Sequence, residues 1–177
     1  MKVEEVRGDG SADGGCEATI ENGFAVVEAG SWLTGATGAA AEHDGKLWFA
    51  ACDRPFLTRL DLGERVSVVA SKLLVAPLSS RRKRRLLRLV PFSFRDAVRV
   101  FELEIGWAVM ATSSRTMRLV AKEGDTLTVS PSSLVAWTGR RPTGFCPRLR
   151  LRDLLLPRKP RVLWHFHGPC IVWIEGC

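Results

Sequence analysis

Thr126, Leu127, Thr128 and Val129 alternate polar with apolar, Ser130, Pro131, Ser132 and Ser133 form a turn cluster, and Leu134, Val135, Ala136 and Trp137 make a short apolar run. A strand with one half-buried face alternates with period two, and a short unbroken apolar run bounded by turn residues suits a buried strand. The stretch EGDTLTVSPSSLVAWT, residues 123–138, therefore predicts strand, turn and strand. Moved back by about sixty residues the pattern recurs as LGERVSVVASKLLVAP, residues 62–77, with Gly63 on Gly124, Val66 on Leu127, Val68 on Val129 and Leu73 on Leu134. A shorter version, FAVVEAGSWLTG, occupies residues 24–35.

An aromatic strand precedes each full copy. Gly45 to Ala50, containing Trp48, leads into Gly63, and Gly106 to Met110, containing Trp107, leads into Gly124. The same half-motif closes the chain as Cys170-Ile171-Val172-Trp173-Ile174-Glu175-Gly176. The chain thus opens on a second half and ends on a first half. The expectation is an all-β fold of three β-sandwich-like repeats in pseudo-threefold arrangement, closed so that the N- and C-terminal strands complete one repeat. The full copies are residues 45–77 and 105–138, and the split copy is 20–35 plus 170–177. Repeats of this kind bury their apolar faces only against one another. Two strands are expected from Ala18 to Leu33, three or four from Lys46 to Ala76, and another starting at Val98, Val100 and Leu103.

At 177 residues and 46% apolar content the chain suits one globular domain, 17–177, preceded by an acidic, glycine-rich tail over 1–16. The net charge of +7 comes mainly from arginine, which favours an acidic partner. Two clusters carry it. Arg81, Arg82, Lys83, Arg84 and Arg85 are consecutive, and their mutual repulsion predicts an exposed loop tip. Arg148, Arg150 and Arg152 alternate with leucines and would share one face of a strand. Arginine's planar fork suits phosphate and carboxylate, whereas the same charge can also serve solubility alone.

Five cysteines lack any CxxC spacing and no secretory signal precedes them, so reduced thiols in a cytoplasmic protein are expected, mitochondrial in a eukaryote. No apolar run approaches the roughly 18 residues needed for a membrane-spanning helix. No nucleophile elbow, phosphate-binding glycine loop or zinc-protease motif occurs. Asp53, Asp61, Glu64, Glu123 and Asp125 fall at predicted turns, where a solvated carboxylate is ordinary. His165, His167 and Cys170 are the only residues whose types and spacing suit a metal, since two histidines two apart on a strand face the same way. A fourth ligand is not evident, and an exposed polar strand face explains the histidines equally. Trp48, Trp107 and Trp173 would be a stacking surface for bases or, as their recurrence in the repeat favours, core.

The strand Gly124 to Val129, the run Leu134 to Trp137 and the ending Phe166-His167-Gly168-Pro169-Cys170-Ile171-Val172-Trp173-Ile174 resemble the altered inheritance of mitochondria protein 24 family. That family belongs to a superfamily similar to the tryptophan RNA-binding attenuation protein. The resemblance implies three β-rich repeats and no established catalytic activity, and no cofactor is expected. Ser132 and Cys170 stand where the family pattern has glycine, and the arginine run at 81–85 is no feature of it. The expected function is a non-enzymatic binding or scaffold protein within an intracellular complex, with a protein partner or further copies of itself. An RNA-binding module using the arginine clusters is the alternative. No small-molecule substrate is indicated.

Overall fold

A computed structural model describes residues 5–7, 17–28, 30–35, 38–78, 81–87, 98–104, 106–145 and 163–176, with backbone alone for 5–7, 31, 81–87 and 145. The described chain is all-β, in several antiparallel sheets. Residues 5–7, expected in a tail, form β1 (Glu5–Arg7), paired with β4. Three strands rather than two follow: β2 (Thr19–Glu21), β3 (Phe24–Glu28) and β4 (Ser31–Leu33). Asn22 and Gly23, at φ 50° and 82°, join β2 to β3. Asp44 and Gly45, at φ 53° and 70°, likewise join β5 (Gly38–His43) to β6 (Lys46–Ala51). Two consecutive residues of positive φ give the turn whose twist matches an antiparallel hairpin, which is why Asn-Gly and Asp-Gly stand there.

Next come β7 (Phe56–Leu62), β8 (Val66–Val69), a single 3-10 turn over Ala70–Lys72, and β9 (Leu73–Pro77). After β10 (Arg81–Leu87) the chain continues through β11 (Val98–Leu103), β12 (Gly106–Thr112), β13 (Thr116–Ala121), β14 (Thr126–Val129) and β15 (Leu134–Thr138). The last strands are β16 (Thr143–Phe145), β17 (Leu163–His167) and β18 (Cys170–Glu175).

The strands form four sheets, in the orders β1-β4-β9-β12-β7, β10-β11-β8-β15-β18-β13, β14-β17-β16 and β2-β3-β6-β5. Their unbroken apolar runs have a direct explanation. In β12, Ala108 and Met110 enter one core cluster with Leu33, Leu60 and Phe101, while Trp107, Val109 and Ala111 enter another with Val27, Trp32 and Phe49. In β15, Val135 and Ala136 share the first cluster, while Leu134 and Trp137 join a third around Trp164 and Phe166. A strand with apolar cover on both faces loses the alternation of a half-exposed strand. The five- and six-stranded sheets therefore enclose the central cluster, and the four- and three-stranded sheets cover their outer faces. Each fully buried leucine, valine or phenylalanine contributes about 1.5–3 kcal/mol relative to exposure.

Of the three tryptophans expected in the core on repeat grounds, Trp107 is buried, while Trp48 and Trp173 are half-buried. Trp32, Trp137 and Trp164 are the others buried among the described residues. Trp137 meets the Trp164 and Phe166 rings edge-on, at centroid distances of 6.1 and 5.8 Å, a favoured aromatic geometry.

Candidate functional site

The structure corrects the expectation of a loop tip at Arg81 to Arg85: these residues lie in β10, at one edge of the six-stranded sheet. Successive positions of an extended strand alternate between its two faces, so adjacency in sequence overstates the crowding of like charges. Lys83 stands opposite Glu102, Arg84 opposite Phe101 and Arg85 opposite Val100, with an irregularity between Arg81 and Lys83. A charged edge strand also discourages unwanted pairing with other sheets. Arg148, Arg150 and Arg152 lie outside the described residues.

His165 and His167 are on β17, whose alternate residues Trp164 and Phe166 enter the core. His167 is exposed, with Nδ1 3.1 Å from Thr126 Oγ1. Cys170 lies in the core cluster with Trp164 and Phe166, and burial pushes its thiol above the ordinary value. A buried, protonated thiol is a poor metal ligand. Among the described residues no group of three or more His, Cys, Asp or Glu is placed to hold a metal ion. Of the turn carboxylates, Asp125 Oδ2 accepts the Lys122 N–H at 2.8 Å, as a turn residue should. Asp61 is instead on β7, where it pairs with Arg59 at 2.9 Å.

The feature of greatest chemical interest was not anticipated. At one end of the six-stranded sheet, where β8 and β18 finish and β11 and β15 begin, an open cleft of about 440 Å³ is lined by Arg54, Val69, Ser71, Lys72, Val98, Arg99, Pro131, Ser132 and Glu175. Two turns meet here, Ala70–Lys72 and 131–133. Lys72 joins them. Its side chain is buried, and Nζ donates to Ser132 O at 2.6 Å and to Glu175 Oε1 at 2.7 Å. Glu175 Oε2 accepts the Ser113 N–H at 3.0 Å, and the Glu175 N–H donates to Ser133 O at 2.8 Å.

Burial is the largest influence on Lys72 and holds its ammonium below the ordinary lysine value, against the hydrogen bond and charge of Glu175. Burial also acts to raise Glu175, but the bonds from Lys72 and the Ser113 N–H, with the charges of Lys72 and Arg54, bring it below the ordinary carboxylate value. The two groups answer each other across the 2.7 Å contact. The Arg54 guanidinium is half-buried and donates to Ser71 O, while Arg99 is exposed. Neither arginine forms an ion pair with a carboxylate of the described residues. Among the described residues the lining holds three cations, Arg54, Lys72 and Arg99, against one carboxylate, Glu175, an excess of two positive charges. Because Arg85 is opposite Val100, the charged part of β10 begins two residues along β11 from the cleft residue Val98.

The fold is similar to that of protein SPYM3_0169 from Streptococcus pyogenes, known from an X-ray crystal structure, with a TM-score of 0.57 and 12% identity over 92% of this chain and 94% of that one. At such identity the likeness concerns the fold alone. No protein-family model and no curated protein matches the chain. Among the described residues no helix is long and apolar enough to cross a membrane.

Proposed function

We propose that the chain is a non-enzymatic binding or scaffold protein that docks an acidic protein partner inside the cell through the cation-rich strand β10 and the adjoining cleft. The observation that carries this reading is the placement of consecutive cations on an edge strand beside a cleft that itself has an excess of positive charge. Glu175, the one carboxylate among the described residues of its lining, is committed to Lys72 and the Ser113 N–H. The resemblance to the altered inheritance of mitochondria protein 24 family supports the same non-catalytic reading. RNA is the alternative partner, favoured by the arginine content of β10.

The accompanying reading of the architecture is three repeats in pseudo-threefold arrangement. Two of them support it through matching neighbours: β12 lies between β7 and β9 as β18 lies between β13 and β15, and β11 lies between β10 and β8 as β17 lies between β16 and β14. The terminal strands of the split copy do not pair with each other, since β18 is flanked by β13 and β15. Both border the central core, where Leu33 is buried and Trp173 packs at the margin.

Affinity purification from the source cell, with and without ribonuclease, tests the function. Retention of the same protein partners after ribonuclease, and their loss when Arg81, Arg82, Lys83, Arg84 and Arg85 are changed to serine, is expected. Partners that vanish with ribonuclease would replace this reading by the RNA one, and that same variant would then weaken RNA binding and reduce its salt slope.

A further inference from the structure

We infer that the cleft between the turns Ala70–Lys72 and 131–133 binds a carboxylate carried on an apolar group, with Arg54 and Arg99 engaging the carboxylate and Val69, Val98 and Pro131 receiving the apolar part. The inference rests on the chain being a binding protein and names the chemistry that its cleft recognises. Three features of the cleft lead to it.

The first is the unequal use of its charges. Lys72 and Glu175 neutralise each other below the surface, so the field that reaches the opening is that of the two arginines. A guanidinium presents donors in a planar fork that matches a carboxylate in two parallel bonds. Arg54 is half-buried and anchored at Ser71 O, so part of the entropy of ordering its long side chain is already lost before a ligand arrives.

The second is the apolar lining. Val98 and Pro131, both partly exposed, would stay against water if the cleft took a bare phosphate, whereas an aliphatic group covers them. The third is the rigidity of the walls. The turns are tied together by Lys72 Nζ on Ser132 O, and the end of β18 is tied to the same turn by the Glu175 N–H on Ser133 O. A site whose walls are already ordered binds without a large ordering penalty.

The carboxylate can come from a free aliphatic acid or from an acidic residue next to an apolar one in a partner's chain. Amide-resolved NMR titration of the full chain separates these, using sodium hexanoate, the peptide acetyl-Leu-Glu-Val-amide and inorganic phosphate at constant ionic strength. Hexanoate, the peptide or both are expected to shift the amides of Ser71, Lys72, Arg99 and Ser132. Binding of both, with the peptide the tighter, or of the peptide alone identifies a partner segment as the source; tighter binding of hexanoate, or of hexanoate alone, identifies a free acid. Arg54→Gln and Arg99→Gln are each expected to weaken binding by about tenfold. Should Arg54→Gln fold poorly for want of its bond to Ser71, Arg99→Gln decides the matter, because Arg99 is exposed. The inference is overturned if neither carboxylate shifts these amides, if phosphate shifts them at lower concentration than both, or if Arg99→Gln binds like the parent chain. The serine variant of β10 serves as control: it keeps carboxylate binding even where the partner is lost, so failure of the cleft and failure of the proposed function give different results.

Discussion

The floor and the rim of the cleft carry the same kinds of charge and use them differently. On the floor, Lys72 and Glu175 are largely shielded from water, and each answers the other at 2.7 Å with backbone partners completing the set. On the rim, Arg54 has a single carbonyl partner and Arg99 is exposed. Burial decides which charges are structural. A charge that leaves water must be matched within the protein, and once matched it has little left to offer a ligand. A charge kept at the surface is stabilised by water and can exchange that water for a ligand.

The sharpest way to break this contrast is Lys72→Met. It leaves Glu175 without its ammonium and Ser132 O without a donor, and should lower stability by about 3 kcal/mol, because removing one member of a buried pair strands the other. Urea unfolding should show a lower midpoint at unchanged slope. Adding Glu175→Met should recover part of the loss, with a coupling of about 1–2 kcal/mol between the two sites. Simple additivity would mean that the pair is not a unit.

Acid should act on the floor alone. Glu175 has a folded value below its unfolded one, so in that window the unfolded chain binds more protons and stability rises with pH. The stabilisation is complete above the unfolded value of about 4.3 and is lost as pH falls through the folded value. Urea midpoints at descending pH should therefore drop less steeply in Glu175→Gln than in the parent chain. On the rim, Arg54→Gln should cost about 1 kcal/mol through its bond to Ser71 O. Arg99→Gln should leave the midpoint unmoved, and a large drop there would place Arg99 on the floor with Lys72.

The strands were largely legible. Alternation at Thr126 to Val129 and the apolar run at Leu134 to Trp137 became β14 and β15, and the similar stretch 62–77 holds β8 and β9. Asn22-Gly23 and Asp44-Gly45 also carried a readable hairpin signal, and with it the strand boundaries around β2, β3, β5 and β6 follow from turn chemistry. The reading of 81–85 as a loop failed because repulsion between neighbours in sequence was weighed without the backbone pairing that β11 supplies. Recurrence of a tryptophan was also a poor guide to burial, since Trp48 and Trp173 occupy strands covered less completely than β12.

The cleft was legible only in fragments. Lys72 stands alone among Val69, Ala70, Leu73 and Leu74, and Glu175 ends the apolar run from Ile171 to Ile174. A charge in such a setting asks for a partner, and its partner here is 103 residues away. Local pattern determined the strand-rich class, the turn cluster at 130–133 and the excess of positive charge, because alternation, turn residues and composition act through neighbours along the chain. Only the tertiary structure decided that the two turns face each other, that Lys72 and Glu175 neutralise one another between them, and that two arginines remain at the opening. Those outcomes depend on which sheets stack and which strand ends coincide, and burial, which sorts one charge from another, exists only once they do.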